Sequence, residues 1–195
     1  MSGEPIEAVR QGMRALVAEL KSNPQALETT FLSVITFNSS AQQVAPLTDL
    51  ASFREPTIDA SGATALGEAL KTLRLCIDRE VTKTTRHQRG DRKPLVFLVT
   101  DGQPTDSWER EADDLKQQPV GNIIACAAGG NSDENLLKRI TESVVKLNSQ
   151  SPDALMAYFK WVSSTIKTTS DDFAQTLTHQ GSPLPPLPPQ ITSVP

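Results

Sequence analysis

Residues 95–106 read LVFLVTDGQPTD. An apolar run climbs into Thr100-Asp101-Gly102 and stops there. The run over residues 95–100 is nearly continuous, the pattern of a strand covered on both faces, as parallel strands in an α/β layer are. A carboxylate at the end of such a strand is costly to bury unless it is paired or holds a ligand. The fold and the chemistry of this chain both turn on what surrounds Asp101.

Working outward, residues 120–128, VGNIIACAA, repeat the pattern, with a helix expected over residues 107–117 between the two runs. A helix joining two buried strands implies a right-handed parallel crossover. Upstream, residues 29–37, TTFLSVITF, are β-branched and aromatic and read as a strand. Asn38-Ser39-Ser40 turns the chain, and a weaker strand over residues 42–47 completes an antiparallel hairpin. Val9, Met13, Leu16, Val17 and Leu20 recur at helical spacing over residues 4–22, with Pro5 in the first turn and Asn23-Pro24 as the stop. Leu66, Ala69, Leu70, Leu73, Ile77 and Val81 mark a second helical face, and residues 82–93 form a polar, basic loop. A short helix over residues 133–140 starts at Ser132 or Asp133, a strand covers residues 143–147, and Ser151-Pro152-Asp153 opens a last helix carrying Leu155, Phe159, Val162 and Ile166. Strands alternating with helices predict a three-layer α/β fold around a mostly parallel, Rossmann-like sheet.

The domain is expected to occupy residues 1–168, followed by a proline-rich, disordered tail over residues 169–195. Residues 181–195, GSPLPPLPPQITSVP, hold six of the 14 prolines and have no core-forming period, so they are expected to pack little. The alternative is a polyproline ligand for a groove that binds proline.

At 195 residues, 22% charged and 37% hydrophobic, the composition is that of one ordinary globular domain. A net charge of −4 gives no basic footprint for nucleic acid or anionic membrane, so neither is expected as a partner. No apolar run approaches the ~18 residues of a membrane span, and the N-terminus has no secretory pattern, which predicts a cytoplasmic location. Cys76 and Cys126 lie in apolar segments without metal-ligand spacing and read as buried thiols.

In open α/β sheets ligands bind beyond the carboxyl ends of the strands. Those ends supply Asn38, Ser39 and Ser40, then Asp101 and Gly102, then Gly129-Gly130-Asn131. The start of the second helix adds Ser61, Gly62, Ala63 and Thr64. A carboxylate with hydroxyls offers hard oxygen ligands, suited to Mg²⁺ or Mn²⁺. Asp106 is expected to cap the helix that starts at Ser107, and Trp108 reads equally as an exposed anchor for a partner or as packing at the sheet edge.

Three blocks in order, SGEPIEAVRQGM at residues 2–13, SGATALGEAL at residues 61–70 and FLVTDGQPTD at residues 97–106, resemble a von Willebrand factor A domain, most nearly the bacterial tellurium-resistance TerY type. The likeness covers residues 1 to about 168. It implies a metal-ion-dependent adhesion site, built in the family from a D-x-S-x-S segment, a threonine and an aspartate. The threonine falls on Thr64 and the aspartate on Asp101. The family's D-x-S-x-S ends the first, central strand and is commonly followed by Met-x-Gly. Here Met1-Ser2-Gly3 opens the sequence. The expectation is therefore a sheet lacking its central strand and an incomplete cation site, with Mg²⁺ binding weak or absent and a risk of self-association through open strand edges. An internal Met taken as the start is preferred as the cause over a naturally shortened chain.

The resemblance implies a non-enzymatic, protein-binding module in which the cation bridges to an acidic residue of a partner, in a tellurite- or stress-response setting. Asn38, Ser39, Ser61, Gly62, Gly102, Asp106 and Trp108 are the expected contact residues. A metal-independent scaffold is the first alternative. A metal-dependent phosphoester hydrolase is the second. Gln103 stands where a haloacid-dehalogenase-like site needs its second acid, and no P-loop or G-x-S-x-G is present.

Overall fold

The computed structural model describes residues 3–129, 133–175 and 184–195, with side chains described except over residues 171–175. Elements follow in the order α1 (Glu4–Lys21), α2 (Pro24–Thr29), β1 (Phe31–Phe37), β2 (Ala41–Asp49), α3 (Leu66–Glu80), β3 (Leu95–Thr100), α4 (Glu109–Lys116), β4 (Asn122–Ala127), α5 (Glu134–Ile140), β5 (Ser143–Leu147), α6 (Pro152–Gln175) and β6 (Ile191–Ser193). The alternating order is that of a mixed α/β, Rossmann-like fold. β3 and β4 pair in parallel with Leu95 opposite Asn122 and Thr100 opposite Ala127, and β4 pairs with β5 in parallel.

Two compact units divide the chain. One comprises Met1–Val34, Ala45–Asp59 and Leu147–Thr192, and the other Ile35–Val44, Ala60–Lys146 and Ser193–Pro195. In the first, α1 packs on α6. A methyl group at Gly12 would lie 2.1 Å from Cδ2 of Phe159, so the missing side chain is what lets the ring seat on α1. Glu19 accepts from the Ser163 hydroxyl at 2.6 Å and pairs with Lys167. Burial works to raise its carboxyl, but the bonds from Lys167 and Ser163 outweigh it and hold the group below its usual range. The segment read only as a helix stop, Asn23-Pro24, also starts a helix. The Asn23 side chain accepts from the Ala26 N–H at 2.8 Å and Pro24 takes the first helical position, where its missing N–H is no loss.

In the second unit, α3 packs on α4 and α4 on α5. Leu66, Leu70, Ile77, Leu115, Ala125, Leu137 and Val144 share one core. Asp133 caps α5, accepting from Asn135 and Leu136 N–H groups at 3.0 and 3.2 Å. Its rival Ser132 lies outside the described residues, as do Gly130 and Asn131.

One expectation about the sheet needs correction. Ile124–Ala127 of β4 are fully buried, whereas residues 95–99 of β3 are only half-buried. The strands form a two-stranded sheet, β1-β2, and a separate four-stranded sheet in the order β3-β4-β5-β6. β4 has a strand on each side, and β3 is the edge of its sheet. Apolar composition marked both as covered on both faces, and it is burial, with the pairing, that separates them.

The tail also departs from expectation. α6 runs on to Gln175, past the boundary placed at residue 168. Residues 184–195 are docked. The Trp161 indole N–H donates to the Pro185 carbonyl at 3.0 Å, and Ile191 is 4% exposed. Proline removes backbone donors but leaves carbonyls that a donor elsewhere can satisfy. Residues 176–183 of the expected tail lie outside the described residues.

Candidate functional site

The strand-end residues named from the sequence gather within the second unit. β1 ends at Phe37, and the turn at Asn38–Ser40 is closed by the Asn38 N–H donating to the Ser40 carbonyl at 2.9 Å. The Asn38 carbonyl accepts from the Ala65 N–H at 2.7 Å, which ties the turn to the entry of α3. Ser39 Oγ accepts from the Ala63 N–H at 3.2 Å, and Asn38 Nδ2 donates to Ser61 Oγ at 3.4 Å. Gly62 has a φ of 77°, a left-handed conformation that L side chains rarely adopt. A methyl there would sit 2.2 Å from Ser39 Oγ, so Gly62 is needed for both its torsion and its lack of bulk.

The other half of the cluster follows β3. Thr100 is buried, and its hydroxyl lies 3.3 Å from the Gly102 carbonyl and 3.4 Å from the Gly102 N–H, folding the chain sharply after Asp101. Asp101 and Gly102 are half-buried. A methyl at Gly102 would lie 2.9 Å from Thr64 Oγ1, so the threonine hydroxyl rests against the residue that follows Asp101. Two reciprocal bonds hold these loops together. The Thr64 N–H donates to Thr105 Oγ1 at 3.2 Å, and the Thr105 N–H donates to the Thr64 carbonyl at 2.9 Å. Sequence reasoning passed over Thr105. Its signal was present, a hydroxyl within the same QPTD turn as Asp106.

Asp106 has a different role from the one expected. It accepts from the Gly67 N–H at 3.0 Å and the Glu68 N–H at 2.9 Å, so it caps α3 from a distant loop. The residue at the N-cap position of α3, Ala65, makes no side-chain cap, and α4 begins at Trp108 without one. A carboxylate at a helix N-terminus satisfies orphan N–H groups and meets the positive end of the helix dipole. For Trp108, the structure favours the packing alternative over the exposed anchor. The residue is 8% exposed and belongs to the core of this unit, with the Arg139 guanidinium 5.3 Å from its ring centroid. It does not present a free aromatic anchor.

Chemically, Thr64, Asp101 and Ser39 supply hard oxygen donors at the carboxyl end of the strands. That donor type suits Mg²⁺ or Mn²⁺. The fit is partial, because Asp101 alone of the three brings a charge, and among the described residues no group of three or more His, Cys, Asp or Glu side chains could hold a metal ion. Cys126 is not an alternative ligand, since complete burial holds its thiol well above the usual range. Both cysteines are free and buried. No described helix is long and apolar enough to cross a membrane.

The sequence profile of the von Willebrand factor type A domain matches residues 1–165. Proximal thread matrix protein 1 from the mussel byssus has a similar structure, with a TM-score of 0.60 at 20% identity over 83% of this chain and 43% of that one. Another structure of that protein has a zinc-occupied MIDAS motif. The PilB minor pilin of Streptococcus sanguinis superposes with a TM-score of 0.60 at 12% identity over 87% of this chain and 56% of that one. BatB from Bacteroides thetaiotaomicron gives 0.51 at 17% identity, over 84% and 88%. The chain thus spans about half the length or less of the mussel protein and the pilin. At these identities the likeness establishes the fold alone. No curated protein sequence matches significantly.

Proposed function

Because the chain belongs to the von Willebrand factor type A domain family, we propose that it is a protein-binding module whose contact surface is the strand-end cluster of Asn38, Ser39, Ser61, Gly62, Thr64, Asp101 and Gly102. Thr64 and Asp101 are the residues that would hold a divalent cation, Mg²⁺ or Mn²⁺. Such an ion supplies an open coordination position for an acidic side chain of the partner. The observation that carries this reading is the seating of Thr64 Oγ1 against Gly102, locked by the Thr64–Thr105 bonds. Loops already held together lose little entropy when an ion or a partner arrives. Asp106 serves this surface by fixing the N-terminus of α3, and Trp108 by packing beneath it.

The reading includes an incomplete site. One carboxylate and its hydroxyl neighbours leave most of an octahedral shell to water. The likeness of the three sequence blocks is what supports a further strand, and a strand ending D-x-S-x-S would bring an anion and two hydroxyls. The finer placement, a TerY-like module of a tellurite- or stress-response system, rests on the likeness of the three sequence blocks. A metal-independent scaffold is the second reading, favoured by the direct hydrogen bonds that already hold Asn38, Ser39 and Thr64 to their neighbouring loops.

Calorimetric titration of Mg²⁺ and Mn²⁺ tests this directly. It should be run on residues 1–195, on the same chain preceded by a strand ending D-x-S-x-S, and on that longer chain with Asp101→Ala or Thr64→Ala. Affinity and melting temperature should rise together in the longer chain, since an ion that binds only the folded state stabilises it. Both substitutions should abolish the gain. Equal affinity in the short and long chains, or an unchanged affinity after Asp101→Ala, would refute the assignment.

A further inference from the structure

The docked tail is held by a surface that supplies hydrogen-bond donors to proline carbonyls. Proline carries a carbonyl acceptor and no N–H, so a receptor for a proline-rich strand must supply donors. Within the first unit it does. Trp161 Nε1–H donates to the Pro185 carbonyl at 3.0 Å, and Asn148 Nδ2–H donates to the Pro189 carbonyl at 2.8 Å. Asn148 then reads onward along the same segment. Its backbone N–H donates to the Gln190 carbonyl at 2.9 Å, and its Oδ1 accepts from the Thr192 hydroxyl at 2.8 Å. The Ile191 N–H turns back to the Pro188 carbonyl at 3.0 Å, and the Ile191 side chain is an apolar anchor, 4% exposed. Trp161 is 4% exposed, with Tyr158 beside it at a ring-centroid distance of 6.2 Å.

Two recurring modes of peptide recognition meet here. One is an aromatic donor on a polyproline carbonyl, and the other is a strand stitched to a strand end through main-chain bonds. Residues 183–195 carry no charged side chain, and none of the contacts above involves a charge. None of these residues belongs to the cation surface. We propose that the groove formed by Trp161 and Asn148 is a receptor for an uncharged proline-rich strand of a partner protein, and that the chain's own residues 184–192 are its resident, self-inhibiting ligand. A tethered ligand acts at a high effective concentration, about millimolar for short connections. A partner segment therefore meets a groove that is open only a small fraction of the time, and its apparent affinity is reduced by that fraction.

The probe is a fluorescently labelled synthetic peptide with the sequence of residues 183–195, titrated by anisotropy into full-length chains. Ile191→Asp places a carboxylate at the buried anchor and should vacate the groove. The peptide should bind Ile191→Asp at least about tenfold more tightly than the unsubstituted chain. Adding Trp161→Phe, which keeps a ring but removes the indole donor, should weaken that binding several-fold. A peptide with its prolines replaced by alanine should bind the vacated groove more weakly. If circular dichroism shows that Ile191→Asp is unfolded, Ile191→Ala is titrated in its place, since it shortens the buried anchor while leaving the Trp161 and Asn148 donors intact, and it should bind the peptide several-fold more tightly than the unsubstituted chain. The unsubstituted chain is followed by hydrogen exchange in parallel, where excess peptide should accelerate exchange of the Ile191 amide. No binding to a folded Ile191→Asp chain, equal binding to the two chains, or an Ile191 amide indifferent to millimolar peptide would each overturn the proposal.

Discussion

Removing the Asp106 carboxylate should loosen α3 far more than its place in a surface loop implies. Its two oxygens accept from the Gly67 and Glu68 N–H groups at 3.0 and 2.9 Å, and α3 has no other side-chain cap. Loss of a capping side chain typically costs about 1 kcal/mol. The Gly67 N–H adds to this, because Gly67 is buried and a methyl group there would lie 2.2 Å from the Ser107 carbonyl. Water has little room to replace the carboxylate, and an unsatisfied buried donor costs about 1–3 kcal/mol. Asp106→Ala should therefore destabilise by about 2 kcal/mol, and Asp106→Asn, which keeps one acceptor, by roughly half of that. The assay is urea unfolding in a Trp161→Phe background. The chain has two tryptophans, so Trp108 then reports alone on the unit that contains α3. With a urea slope of about 1–3 kcal/mol per molar, the midpoint should fall by about 1 M for alanine. A shift below about 0.3 kcal/mol for Asp106→Ala, or equal shifts for Ala and Asn, would refute the capping argument.

Three further outcomes are expected. The Glu19 carboxyl is held below its ordinary value by Lys167 and Ser163 against the opposing effect of burial, so its contribution is present above the unfolded carboxyl range and is lost as pH falls through the lower folded value. Urea midpoints read from Trp161 should put Glu19→Gln about 1 kcal/mol below the unsubstituted chain at neutral pH, with the gap closing on acidification below about pH 4. Gly102→Ala should push Thr64 Oγ1 from its seat, costing about 1–2 kcal/mol and any cation response, and Thr64→Ala in the same chain should recover much of the stability in a double-mutant cycle. Gly12→Ala brings a methyl within 2.1 Å of the buried Phe159 ring, and the overpacking should exceed the helix-propensity gain by about 1 kcal/mol, visible as a lower thermal midpoint.

The element order was legible because it rests on short-range patterns. Apolar spacing of three and four residues marked α1, α3 and α6, and unbroken apolar runs marked β3 and β4. The α2 helix was missed because Asn-Pro both ends one helix and starts another, and periodicity over six residues is too short to decide. The strand-end residues were legible for a similar reason. Turn chemistry at Asn38–Ser40, at Gly62 and at Asp101-Gly102 is local, so these positions could be singled out from neighbouring residues alone.

By itself, the sequence determined the fold class and which loops reach the carboxyl ends of the strands, because backbone propensity and apolar period are properties of neighbouring residues. Tertiary structure alone decided what individual side chains do there. Asp106 caps a helix 39 residues away in sequence to Gly67, Thr105 clasps Thr64 across 41 residues, and Trp161 finds a proline carbonyl 24 residues on. Such bonds depend on loops meeting in space, and nothing in the local chain distinguishes a carboxylate that caps its own helix from one that caps another. The same holds for burial. The apolar runs of β3 and β4 are alike in composition, and one is interior and the other an edge solely because of which strands pair beside them.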